Sequence, residues 1–184
     1  MKHVFTILLL GFTLTAFAQV KCDSIIWKAD RKLTWGDFQG EPVLSGMVAA
    51  KTHYDFVRTW AAHGFTLKTK MVCSFNPCKS WSRNKKSDNL LAHEQGHFDI
   101  AEYFRRLYNK RVAEATYSKS TIVSVMKSIY QNINTECETM QENYDTQTTH
   151  GLTKDKQVEW LQKIAGLLDA TKPFDQEEVE VKLP

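Results

Sequence analysis

Glycine and proline are scarce, 8 and 4 residues in a chain of 184, so neither a collagen-like repeat nor a low-complexity linker is encoded. Cysteine is also sparse. The four residues, Cys22, Cys73, Cys78 and Cys137, include no CxxC pair, which argues against a zinc site built from thiolates. Excess charge of one sign is missing too: 24 basic against 21 acidic side chains leave +3, too little to imply a nucleic-acid partner or an anionic surface. Past residue 18 no apolar run approaches the ~20 residues that a spanning helix needs. No internal repeat is present.

What is there begins with a leader. Lys2 supplies a short positive region, Val4 to Ala18 is almost wholly apolar or small, and Ala16-Phe17-Ala18 is a small-x-small cleavage site. Residues 1–18 are therefore expected to be a signal peptide, 19–170 a single domain, and 171–184 a charged flexible tail. Lys21 ahead of Cys22 excludes a lipoprotein site. Removal of the leader takes away one lysine and no acid, leaving +2. The mature protein is expected to be extracytoplasmic, periplasmic or secreted, where cysteines pair. Pro77 turns the segment between Cys73 and Cys78, which makes that pair plausible and leaves Cys22 for Cys137.

Two period-2 series, Val48 to Phe56 and Phe65 to Phe75, flank Ala62-His63-Gly64 and read as a long antiparallel hairpin. Ahead of it, Trp35 and Phe38 anchor a turn. After the polar stretch 82–87 the period changes to 3.6. Ser87 or Asp88 caps a helix running to about Tyr117, with His93, His97, Phe104 and Leu107 on its apolar stripe. A break at Ser118–Ser120 leads to a second helix through Ile122, Met126, Ile133, Cys137 and Met140. A third, capped by Thr153, carries Val158, Leu161, Ala165 and Leu168. The fold class expected is α+β, an N-terminal antiparallel sheet followed by a helical half that carries the HExxH helix, zincin-like in arrangement.

That helix contains His93-Glu94-Gln95-Gly96-His97. Residues four apart project from one helix face about 40° apart, the placement that lets two imidazoles share one Zn2+. Glu94 is rotated by about 100° from His93, beside the metal rather than on it, as a general base for water requires. Gly96 is read as space beside the metal. Surface histidines with an ordinary exposed glutamate would be the bland alternative, but both histidines fall on the apolar stripe.

A third ligand must come from elsewhere, because Ile100 and Tyr103 stand where the metzincin motif has its glycine and last histidine. Asp99 and Glu102 point away on a straight helix and are solvated or supporting groups. An antiparallel partner starting near Ser120 comes level with the metal again at residues ~138 to 146. His150, in the loop just beyond, is the first choice and Asp145 the second. Tyr144 either stabilises an oxyanion or belongs to the core.

The segments Leu33-Thr34-Trp35-Gly36-Asp37-Phe38, Ser80-Trp81, Leu90 to Glu102, and Tyr144-Asp145 with Thr148 and His150-Gly151 together resemble a bacterial family catalogued as a domain of unknown function and described as predicted secreted zinc-dependent proteases. The likeness runs from about Ser24 to Leu168. It implies a zinc-peptidase site and no particular substrate. The expectation is an exported zinc metallopeptidase, with Glu94 as base and His93, His97 and His150 as ligands, acting on a peptide or protein. A zinc amidase acting on cell-wall peptides shares its mechanism. The alternative is a noncatalytic zinc-binding or interaction module with a closed site.

Overall fold

A computed structural model describes residues 22–46 and 48–184; the expected signal peptide lies outside them. Six strands and three long helices follow one another: β1 (Ile25–Ile26), β2 (Ala50–Lys51), β3 (Tyr54–His63), β4 (Thr66–Phe75), β5 (Trp81–Ser82), α1 (Asp88–Glu114), α2 (Ile122–Thr148), α3 (Lys154–Ala170) and β6 (Glu178–Lys182). The α+β arrangement expected, sheet first and helices after, is the one observed.

The hairpin forms as the alternation demands. β3 and β4 pair antiparallel from Tyr54↔Phe75 to His63↔Thr66, so the turn falls on Gly64-Phe65, one residue later than the sequence indicates. Gly64 has φ +58°, which an L side chain rarely adopts. Leu67, Thr69, Met71, Cys73 and Phe75 form the buried face of β4. β4 is the centre of the sheet, with β3 on one side and β1 and β6 on the other. Among the described residues, β3 is a long edge strand. The period-2 series upstream of it does not continue the hairpin: β2 pairs with β5 in a separate ribbon, which carries residues 48–53 toward the start of α1.

Ser87 caps α1, its hydroxyl accepting the Leu90 N–H at 3.1 Å. Ile100, Phe104, Tyr108 and Val112 pack on Leu67 and Met71 of β4, on Met126, Ile133 and Cys137 of α2, and on Trp160 and Ile164 of α3. A second cluster joins Leu33 and Phe38 to Cys73, Phe75, Phe98 and Ala101. The turn Trp35–Asp37 is therefore anchored through Phe38, which is fully buried, while Trp35 stays partly exposed. Each large aliphatic side chain so enclosed contributes about 1.5–3 kcal/mol.

Two expectations are corrected. Residues 171–184 are not a loose tail. Val179 and Val181 alternate with Glu178, Glu180 and Lys182, a strand pattern that the charges disguise; β6 pairs with Thr66–Lys70 of β4, and Val179 enters the core. Arg105 and Asn109 of α1 donate to the carbonyls of Asp175, Gln176 and Phe174, holding the approach to β6. The cysteine pairing also differs. Cys22 bonds Cys78 across a Cα separation of 5.9 Å, within the usual reach. Cys73 and Cys137 are free and buried. The alternation that buries Cys73 on the inner face of β4 turns it into the core, while Cys78 sits in the loop beyond Pro77. Burial pushes the Cys137 thiol up to about 11 and the Cys73 thiol well above its ordinary value, so both stay protonated and unreactive at neutral pH.

Candidate metal centre

α2 runs back along α1, and the two helices come level where helix rise and loop length require. Gln141 of α2 faces His97, and Asp145, one turn further on, faces His93. The rings of His93 and His97 meet nearly edge to face with centroids 4.7 Å apart. Their Nε2 atoms are 3.1 Å apart. Asp145 Oδ1 lies 3.0 Å from Nε2 of His93 and 3.1 Å from Nε2 of His97. Among the described residues, His93, His97 and Asp145 are the group whose donor atoms are close enough to hold one ion.

The triangle can be tested against a metal. Bonds of about 2.0–2.1 Å in a tetrahedron separate donor atoms by about 3.3 Å. The three edges, 3.0, 3.1 and 3.1 Å, are the face of a tetrahedron drawn slightly inward. Two imidazole nitrogens and one carboxylate oxygen suit a divalent metal ion, zinc among them, and three protein donors of a tetrahedral set leave one position free.

Charge supports the same grouping. Burial opposes ionisation of Asp145, but when the imidazoles are protonated the hydrogen bonds from His93 and His97, and their charge, hold its carboxyl well below the usual carboxylate range. Burial also works against protonation of His97; its bond to Asp145 and the charges of Glu94 and Asp145 outweigh that and raise its pKa.

Glu94 is buried, and its Oε2 accepts the Thr52 hydroxyl at 2.7 Å. It lines the same cleft of about 950 Å³ as the two histidines, Asp145 and His150. Residues 48–56 form one wall of that cleft, and Tyr130, Asn134, Cys137 and Glu138 of α2 stand on the other. His150, the first-choice ligand, sits beside the triad rather than in it. Its Nδ1 is 3.1 Å from Asp145 Oδ1 and its side chain is 44% exposed. Residues 149–151 all have positive φ, 52°, 52° and 81°, which ends α2 sharply and holds His150 at the rim. Gly151 packs against His93: a Cβ there would come within 3.0 Å of the imidazole.

Other expected roles are decided or changed. Of the two roles open to Tyr144 the core one holds: it is fully buried, stacked on the His93 ring at 4.6 Å, with its hydroxyl donating to the His93 carbonyl, and it supports the site from beneath. Gly96 makes room for the Tyr144 ring, not for the metal. Asp99 and Glu102 point away from the metal as expected, but neither is solvated. Asp99 accepts from Trp27 Nε1 at 2.6 Å and from Gln95 Nε2 at 2.8 Å. Glu102 is clasped by Arg105 and Arg106, both at 2.7 Å.

Sequence reasoning overlooked Gln141, Gln157 and Thr52. Gln141 Oε1 is 2.6 Å from His97 Nδ1, and Gln157 Oε1 is 3.1 Å from His93 Nδ1. Gln141 lies four residues before Asp145 and so on the same helix face, a signal that was available. Gln157 had none, because α3 meets His93 only through tertiary packing.

Residues 74–151 match a family model described as bacterial protein of unknown function (DUF922). The match takes in His93, Glu94, His97, Gln141, Asp145 and His150, and ends before Gln157. No curated protein and no solved structure matches the chain.

Proposed function

We propose that the chain is an exported, zincin-like zinc metallopeptidase, with His93, His97 and Asp145 as ligands and Glu94 as general base. The observation that carries this reading is the triangle of donor atoms, beside a buried glutamate in an open cleft. Zinc held there supplies a Lewis acid that acidifies water and polarises a peptide carbonyl. Thr52 orients the Glu94 carboxylate by donating to Oε2. Glu94 then takes the proton from the attacking water and delivers it to the departing amine nitrogen, so that one carboxylate serves as base and acid in turn.

An extended peptide is the substrate that the cleft suits. Among the described residues β3 is paired on one side only, and its first residues, Tyr54 to Phe56, line the wall next to the helix. Free main-chain groups on an edge strand recognise another strand. The disulfide, and the absence of any helix among the described residues that is long and apolar enough to cross a membrane, accord with export.

One observation favours a second reading. His150, beside Asp145, is near enough for a side-chain shift to bring it in as fourth ligand and close the site, which would make the metal structural. The experiment is zinc content and cleavage of an unfolded protein, each measured on the unchanged chain and on Glu94→Gln. The peptidase reading expects one zinc in both and cleavage only by the unchanged chain. Zinc in both without cleavage favours the closed site, and zinc in neither sinks both readings.

A further inference from the structure

We infer that Gln141 and Gln157 are positioning residues of the metal centre, each fixing the proton of one imidazole on Nδ1 so that both Nε2 lone pairs face Asp145. This rests on the metal-site reading above and adds to it the two side chains that prepare the site.

The orientation of Gln141 is settled by two bonds to one residue. His97 Nδ1–H donates to Gln141 Oε1 at 2.6 Å, and Gln141 Nε2–H donates to the backbone carbonyl of the same His97 at 3.0 Å. Turning the amide over would set its oxygen against that carbonyl, acceptor to acceptor. An amide oxygen can only accept, so the ring proton is on Nδ1. The lone pair is then on Nε2, which is the atom 3.1 Å from Asp145 Oδ1.

His93 is treated in the same way from another helix. Its Nδ1 stands 3.1 Å from Gln157 Oε1, and the Tyr144 hydroxyl is directed at the same oxygen from 3.3 Å; an oxygen that accepts from the hydroxyl accepts from the ring as well, which puts the His93 proton on Nδ1. Gln157 is 2% exposed, yet its Nε2 has no acceptor among the described residues. A buried N–H without a partner is destabilising, and a leucine of similar size would fill the space without it. What the amide offers in return is its oxygen. α3 therefore belongs to the metal centre although it lies outside the family match.

Together the two amides bring three acceptor atoms, two Nε2 and one Oδ1, within 3.0 to 3.1 Å of one another. Such a cluster is repulsive until a cation or a proton enters it. Partners of this kind, which set the tautomer of a ligating histidine, change metal affinity by about 10- to 100-fold.

The test compares Gln141→Leu, Gln141→Glu, Gln157→Leu and Gln157→Glu with the unchanged chain. Zinc affinity is read by chelator competition, and imidazole N–H resonances by 15N-resolved NMR on metal-free protein. Each leucine variant should lose about 10- to 100-fold in affinity together with the hydrogen-bonded Nδ1–H resonance of its own histidine, and each glutamate variant should recover the resonance and regain affinity, Gln141→Glu less fully because its second oxygen meets the His97 carbonyl. Leucine variants that bind zinc like the unchanged chain, or unchanged protein without two protected Nδ1–H resonances, would overturn the inference. Should the unchanged chain take no zinc, the metal reading fails by itself and the resonances still decide the roles of the glutamines. Circular dichroism identifies any variant that does not fold, and the glutamate variant at that position then supplies the comparison.

Discussion

The hydroxyl of Tyr144 occupies the space that a side chain at residue 96 would need, so Gly96 on α1 and Tyr144 on α2 fit each other as socket and plug. The ring so admitted lies flat on His93. Gly96→Ala should therefore destabilise the fold by about 1–3 kcal/mol, the usual cost of overpacking, and lower zinc affinity by tilting His93. Thermal melts and chelator competition measure the two effects. Adding Tyr144→Phe removes the nearest atom, so Gly96→Ala should be less harmful in that background; equal penalties in both backgrounds would mean that some other contact excludes the methyl group.

Asp145 and His150 compete for the role of third ligand, and their positions make opposite forecasts. Asp145 Oδ1 stands 3.0 and 3.1 Å from the two imidazoles, whereas His150 stands 3.1 Å from Asp145 and, among the described residues, outside the group of donor atoms close enough to share an ion. Asp145→Asn should abolish stoichiometric zinc, while His150→Ala should keep it with an affinity lowered by no more than about 10- to 100-fold, the range for a group that supports a ligand without being one. Metal analysis of the two purified variants after dialysis separates these outcomes. Loss of zinc from His150→Ala alone would restore His150 as the third ligand.

How far the sequence could be read is set by where each signal resides. The buried face of β4 and the apolar stripe of α1 were legible because periodicity is local, and the return of α2 to the level of His97 followed from helix rise and a short connection. Asp145 was within reach for the same reason. The rest depended on neighbours. β6 looked like a charged tail because its valines matter only when β4 offers an edge, and Cys22 found Cys78 because the chain path, not cysteine spacing, brought them together. Gln157 is invisible in sequence: glutamine on a helix is ordinarily a surface residue, and only the packing of α3 on α1 turns it toward His93.

Asp37 gives the turn ahead of the sheet a pH dependence whose sign can be worked out. Burial works against its ionisation, but bonds from Arg31 and from the backbone and side chain of Thr34 hold its carboxyl below the ordinary value. A depressed folded-state pKa contributes stability that is present above the unfolded value of about 3.9 and is lost as pH falls through the folded one. Asp37→Asn should therefore melt at a lower temperature than the unchanged chain near neutral pH, and the difference should narrow as both are acidified below about pH 4. A gap that stays constant down to pH 2 would show that amide geometry, not charge, accounts for it.

The last strand tests whether the C-terminal residues are part of the fold. β6 covers the Thr66–Lys70 edge of β4 and buries Val179 to 6% exposure, with Lys68 and Glu180 paired across the outer face at 3.0 Å. The exposed ion pair contributes little; the buried valine is worth about 1.5–3 kcal/mol. Deleting residues 178–184 removes that burial and opens half of β4 as a second bare edge, which favours self-association. The shortened chain should melt earlier and form larger species at high concentration by light scattering. Lys68→Ala should do neither, because it leaves the strand pairing and Val179 in place. If the deletion is as silent as Lys68→Ala, β6 contributes nothing to the sheet, and Arg105 and Asn109 secure the chain up to Gln176 without it.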